Sequence, residues 1–157
     1  MLRQTRKADH DAIAGLFAAC YQVLLAPDYA PDVLKATLPG MCKPWPDLIA
    51  SGRFWCVEED GLKAVGGWSP HPPGKADGPA HIRHFATHPD ATGQGHAGAI
   101  LSACLGQARE EGFEHIECFS SLTAEGFYAH FGFKPLRNME IPVAGVIFPV
   151  VEMRCML

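Results

Sequence analysis

Three glycines, Gly93, Gly95 and Gly98, follow the strand-like run Ile82-Arg83-His84-Phe85-Ala86-Thr87 and open the helix-like run from Ala97 to Ala108. Glycine lets a backbone approach a ligand closely, and the first N–H groups of a helix point outward with the positive end of its dipole. A strand, a glycine-rich turn and a helix start in that order make an anion cradle. The turn from His88 to Gly98 is therefore expected to hold a phosphate-bearing ligand.

Other reactive side chains lie close by. His81, His84 and His88 are spaced three and four apart, and imidazole is a good zinc ligand. On a regular strand, however, residues 81 and 84 point to opposite faces, so no metal site is expected. Cys118 on a later strand could offer a thiolate, but a cysteine within an apolar pattern reads as a buried, inert thiol. The glycines do not form a P-loop, because no Gly-Lys-Ser/Thr follows. They do spell G-x-G-x-x-G, with Glu117 near the place of a Rossmann acidic residue. Against a dinucleotide fold, only one βαβ unit is present and a hairpin precedes it.

Those residues must be positioned by a framework, and the chain supplies one in order. Residues 2–6 suggest a weak first strand. Asp9 is placed to cap a helix carrying Ile13, Leu16, Phe17, Cys20 and Leu24 at helical spacing, closed by Pro27. Between Pro31 and Gly52 the signals are mixed, with two short helical pieces broken at Pro39-Gly40 and at Lys43-Pro44-Trp45-Pro46. Arg53 to Glu59 and Leu62 to Trp68 flank Asp60-Gly61, a hairpin signal. A polar loop over 69–79 leads to the strand ending at Thr87. Ala97, Ile100, Leu101, Cys104, Leu105 and Ala108 then form one helical stripe that Gly112 terminates. His115 to Phe119 is the next strand, and the helical crossover makes it a parallel neighbour of 82–87. Thr123 to His130 reads as a short helix, and residues 133–141 and 148–156 as a final antiparallel pair.

Composition narrows the function classes. The chain has 157 residues, 48% hydrophobic and 19% charged, which suits one globular domain spanning 1–157. Its net charge of -4 argues against nucleic acid as a partner. No apolar run approaches the roughly 20 residues of a membrane helix, and no secretory h-region is visible at the N-terminus. Six scattered cysteines without a C-x-x-C pair point to free thiols in a reducing cytoplasm.

Two segments together resemble the GNAT acetyltransferase superfamily. Gly93-Gln94-Gly95-His96-Ala97 is similar to that family's Q/R-x-x-G-x-G/A loop, with Thr92 where the family usually has Gln or Arg. Ala124-Glu125-Gly126-Phe127-Tyr128-Ala129-His130-Phe131-Gly132-Phe133 resembles its A-x-x-F-Y-x-x-x-G-F segment, one helix and one strand downstream. The resemblance implies an α/β fold with a mixed central sheet of about six to seven strands, splayed at two central parallel strands and flanked by about four helices.

It further implies acetyl-CoA as co-substrate and no metal. Phe85, Ala86 and Thr87 would pair with the pantetheine arm through their backbones, and Thr92, Gly93, Gln94, Gly95, His96, Ala97 and Gly98 would wrap the pyrophosphate. Tyr128 matches the position whose phenol serves as general acid toward the leaving thiolate. The base stays open between Glu58 or Glu59 at the end of one strand and His84 or Arg83 on the strand before the cradle, of which the histidine would suit by its pKa, with water as a relay. The expected activity is transfer of acetyl to a primary amine of a small molecule or peptide by direct attack. The alternative is a non-catalytic acyl-CoA-binding protein of the same fold. Specificity is expected in residues 25–52 and 69–79, where Trp45, with Trp68 at the border, suggests a small, partly apolar acceptor. A homodimer is common in such folds, and nothing in the sequence decides it.

Overall fold

A computed structural model describes residues 1–157. The alternating patterns and turn signals resolve into seven strands: β1 (Leu2–Gln4), β2 (Phe54–Glu58), β3 (Leu62–Ser69), β4 (Ala80–Thr87), β5 (His115–Ser121), β6 (Lys134–Val143) and β7 (Val146–Met156). They make one sheet in the order β1-β2-β3-β4-β5-β7-β6, antiparallel throughout except for β4 beside β5. Five helices flank it: α1 (His10–Leu24), α2 (Pro31–Met41), α3 (Pro46–Ile49), α4 (His96–Glu110) and α5 (Glu125–His130).

The sheet is covered on both faces. On one, α1 sets Ile13, Leu16 and Phe17 against Phe54, Cys56, Val65 and Ala86. On the other, α4 sets Ile100, Leu101 and Cys104 against Trp68, Ile82, Ile116 and Met153. Ile100 and Leu101 are completely buried, each contributing roughly 2 kcal/mol. Gln107 of α4 ties the layers together. Its side-chain oxygen accepts from the Trp68 and Trp55 indoles at 2.9 and 3.3 Å, and its nitrogen donates to the Gly52 carbonyl at 2.9 Å. Gly112, at φ +91, ends the helix, and Phe113 N–H returns to the Ala108 carbonyl.

Two local expectations are corrected. Helix α2 runs unbroken through Pro39-Gly40. Pro39 lies one turn from its end on an exposed face, where water can reach the carbonyl it leaves unbonded. Asp9 occupies the N-cap of α1 without capping it. Its carboxylate instead accepts from Arg6 N–H at 2.7 Å and from Arg3 Nη1 and Nη2 at 2.9 Å each, and the Arg3 bonds hold its pKa below the usual carboxylate range. The last two strands pair antiparallel as expected, through an Ala144-Gly145 turn with both residues at positive φ, and β7 lies between β5 and β6.

The parallel pair holds only at its start. Ala80 lies opposite Ile116 and His81 opposite Glu117, and beyond them β4 has no partner on that side. The divergence begins at a bulge. Val65 pairs with Ala86 and Gly67 with Arg83, so His84 and Phe85 together face Gly66. His84 takes φ +53 there, a strained conformation for a side chain with a Cβ, costing on the order of 1 kcal/mol. Gly66 is required opposite, because a Cβ would come within 2.5 Å of the Phe85 ring.

Candidate functional site

Where β4 and β5 part, a cavity of about 920 Å³ opens and runs from the start of α4 to Trp45. Phe85, Ala86 and Thr87 line one wall along the free edge of β4. Their main-chain groups on that side have no strand neighbour, so an extended ligand can add to the edge as a strand would.

At one end stands the glycine turn. Gly93 and Gly95 adopt φ +75 and +83, the left-handed region that glycine enters without penalty. The first main-chain bond of α4 runs from Ala99 N–H to the Gly95 carbonyl, so the N–H groups of His96, Ala97 and Gly98 stay unpaired within the helix. Thr92, Gly93, Gly95, His96, Ala97 and Gly98 all line the cavity. Gln94 does not. It turns outward, its Oε1 accepting from His96 Nε2 at 3.1 Å, and borders a separate hollow beside Asp60 and Lys63. The Thr92 hydroxyl donates to the Pro89 carbonyl at 3.3 Å and so braces the turn from within. Gly98 also has a packing reason to be glycine, since a Cβ would press within 2.7 Å of the Phe131 ring.

Tyr128 lies across the cavity from that wall. Its ring is wedged against Phe85 (6.2 Å), Phe127 (5.1 Å) and Phe133 (5.3 Å), and burial pushes its pKa well above the ordinary phenol value. The phenol therefore stays protonated at neutral pH. His84 lines the cavity from β4, with its ring 5.8 Å from Phe17. Burial, helped by the nearby Arg83 charge, lowers its pKa to about 4, so it is a neutral imidazole. Glu58 is not part of this space. It sits at the exposed end of β2, where it accepts from Arg3 Nε at 2.8 Å.

The bulge also overturns the expectation that His81 and His84 point to opposite faces. The extra residue returns His84 to the side of Arg83 and His81. His84 meets Phe17 and His81 meets Phe119 at 4.5 Å, both in the layer under α1. His88 is elsewhere, accepting from Asp90 N–H at 3.1 Å in the next turn. Cys118 lines the cavity, but burial drives its thiol pKa up, leaving no thiolate at neutral pH. Glu117 accepts two hydrogen bonds from Arg154, at 2.8 and 2.6 Å, and is not in the cavity. Trp68 is not at the site either: fully buried, it belongs to the core under α4.

Sequence reading missed the part that three residues play at the cavity. Tyr21 of α1 donates from its hydroxyl to the Phe85 carbonyl at 3.2 Å, fixing the bulge. His81, 2% exposed, leaves Nδ1 as a buried side-chain atom without a hydrogen-bond partner. Arg83, 7% exposed, faces the same space. The signal for the last two was a histidine and an arginine at alternate positions of β4, separated by an apolar isoleucine.

The fold has clear counterparts. The chain is similar to a GCN5-related N-acetyltransferase from Rhodopseudomonas palustris, with a TM-score of 0.84 and 20% identity, covering 100% of this chain and 95% of that one. It is similar to the PaiA N-acetyltransferase of Thermoplasma acidophilum in complex with coenzyme A (TM-score 0.76, 12% identity, 100% and 98% covered). A ribosomal-protein-alanine N-acetyltransferase from Brucella melitensis matches with a TM-score of 0.70 at 14% identity, over 100% and 99% of the two chains. At these identities the likeness is one of fold. No curated protein matches by sequence. The family model for the acetyltransferase (GNAT) domain matches residues 52–157, from β2 through the cradle and Tyr128 to the last strand, and the chain belongs to the GNAT family.

Proposed function

We propose that the protein transfers the acetyl group of acetyl-CoA to the nitrogen of an amine by direct attack. The observation that carries this is the open edge of β4 leading to the unpaired N–H groups of α4. An extended, hydrogen-bonding arm ending in a pyrophosphate matches that sequence of donors and acceptors. The structural neighbour solved with coenzyme A has the same fold. No Lys or Arg lies between His88 and Gly98, so the pyrophosphate is held by main-chain donors and the helix dipole.

Acetyl-CoA supplies an activated acyl carbon and a thiolate leaving group. The edge of β4 holds the pantetheine arm extended, which brings the acyl end to the bulge at His84-Phe85. Tyr128 donates its phenolic proton toward the sulfur as negative charge develops there, and its surrounding aromatic rings keep competing water out. His84, neutral and with a free lone pair, accepts the proton of the nitrogen as its bond to the acetyl carbon forms. At that stage the nitrogen is acidic enough for so weak a base. The amine itself must arrive unprotonated.

One observation favours a binding-only role: no Asp or Glu side chain lines the cavity, so no carboxylate base is at hand. Calorimetric titration with acetyl-CoA, run beside thiol release over a panel of amines, separates the two. The expected result is saturable binding with amine-dependent CoA release. Tight binding with no release for any amine would establish the binding-only reading instead.

A further inference from the structure

The cavity has a second end, away from the cradle, beneath the α2–α3 connection. There β4 presents His81 and Arg83 side by side on one face, and Trp45, which starts α3, forms the opposite wall. Arg83 is nearly buried and has no carboxylate within salt-bridge distance. Its only side-chain hydrogen bond goes to Ser69 Oγ at 3.2 Å, and that hydroxyl in turn donates to the His71 carbonyl at 2.6 Å. The guanidinium carbon lies over the Trp45 ring, 5.1 Å from its centre, within cation–π range. No Asp, Glu or Lys lines the cavity, so Arg83 is its one permanent charge.

A buried cation without a counter-ion is costly unless a ligand supplies the partner. His81 adds an independent sign of a missing partner: its Nδ1, on a ring 2% exposed, bonds to nothing in the protein. The geometry points to an acceptor subsite in which Arg83, backed by Trp45 and Ser69 and joined by His81, binds the carboxylate of an amino acid whose amine is acetylated. This rests on the acetyltransferase reading and names its substrate class. A planar, bidentate carboxylate matches the fork of a guanidinium. The apolar remainder of this end, including Met41, Phe119 and Phe148, suits an aliphatic or aromatic body rather than a second charge.

The test compares α- and ω-amino acids with the amines formed by removing their carboxyl group, and with phosphate-bearing amines such as phosphoethanolamine. The amino acids should be acetylated with kcat/KM at least 100-fold above the decarboxylated amines. In Arg83→Met that preference should fall below about threefold, with acetyl-CoA affinity unchanged within twofold. If Arg83→Met fails to fold, Trp45→Ala, an exposed-edge change, should reduce the same preference at least tenfold. Decarboxylated or phosphate-bearing amines turned over as well as the amino acids would overturn the subsite while leaving acetyl transfer standing. If no amine is acetylated, calorimetry of the acetyl-CoA complex decides: an amino acid that binds the parent protein and not Arg83→Met supports the subsite. Equal binding to both, or to neither, removes it.

Discussion

The Tyr21 hydroxyl donates a 3.2 Å hydrogen bond to the carbonyl of Phe85, joining α1 to the bulge where β4 leaves its parallel neighbour. One helix therefore fixes the point at which the cavity begins. The bond is partly buried and burial raises the phenol pKa, so the donor keeps its proton at neutral and mildly alkaline pH. In Tyr21→Phe the ring can keep its 5.4 Å stack on Phe17 while the bond is lost. The expected outcome is a loss of about 1 kcal/mol in urea unfolding and a several-fold weaker acetyl-CoA affinity. A stability loss without any change in affinity would show that the bulge is fixed by packing alone.

Tyr128→Phe separates acid chemistry from packing, since the ring contacts with Phe85, Phe127 and Phe133 remain. Turnover should fall by roughly 10²–10⁴, with acetyl-CoA affinity unchanged within twofold. An unaltered kcat would take the acid role away from this residue.

Two glycines of the cradle should respond differently to the same substitution. At Gly95 a Cβ meets nothing within 4 Å, and the cost is the strain of φ +83, about 1–2 kcal/mol. Gly95→Val should still fold yet lose acetyl-CoA binding by tenfold or more, because its side chain stands where the ligand approaches. Gly98→Val collides with Phe131 and should show its main effect as a lowered Tm. Thermal melts paired with calorimetry distinguish the two.

Acid should destabilise the fold through His81. Its pKa is about 4 in the folded protein because burial, with some help from the Arg83 charge, disfavours the imidazolium; unfolded, it returns to its ordinary value of 6.5. The unfolded chain therefore binds more protons between those values, and stability falls as pH drops from 6.5 toward 4. The loss is of order 3 kcal/mol for this group. His84, lowered in the same direction, adds to it. Urea unfolding at pH 7 and pH 5 should show about 2 kcal/mol of this drop, and His81→Phe should shrink it. A variant curve parallel to the parent would show that other groups carry the acid sensitivity.

Gln107→Leu tests whether Trp68 is a core residue rather than part of the site. The change strands two indole N–H groups and the Gly52 carbonyl, and should cost about 2–4 kcal/mol at equilibrium. Acetyl-CoA affinity should be preserved at a temperature where the variant remains folded. Lost affinity in a folded variant would place Trp68 nearer the site than the core packing implies.

Local signals carried much of the architecture. The stripe from Ala97 to Ala108 lies on α4, Asp60-Gly61 turns β2 into β3, and the glycines after Thr87 build the cradle, because each depends on neighbours in the chain. Where a local signal had a distant competitor, it failed. Asp9 was drawn off its helix by Arg3, and Glu58 was drawn to the same arginine and away from the cavity. Trp68 found an amide on α4.

The sequence alone determined the order of elements, the glycine turn at the start of α4 and the pairing of that turn with Tyr128, since periodicity, glycine and motif spacing are properties of adjacent residues. Tertiary structure decided the rest. One extra residue in β4 opposite Gly66 shifts the side-chain alternation, so His84 joins His81 and Arg83 on one face. No pattern within β4 announces that shift, because a bulge exists only relative to the strand beside it.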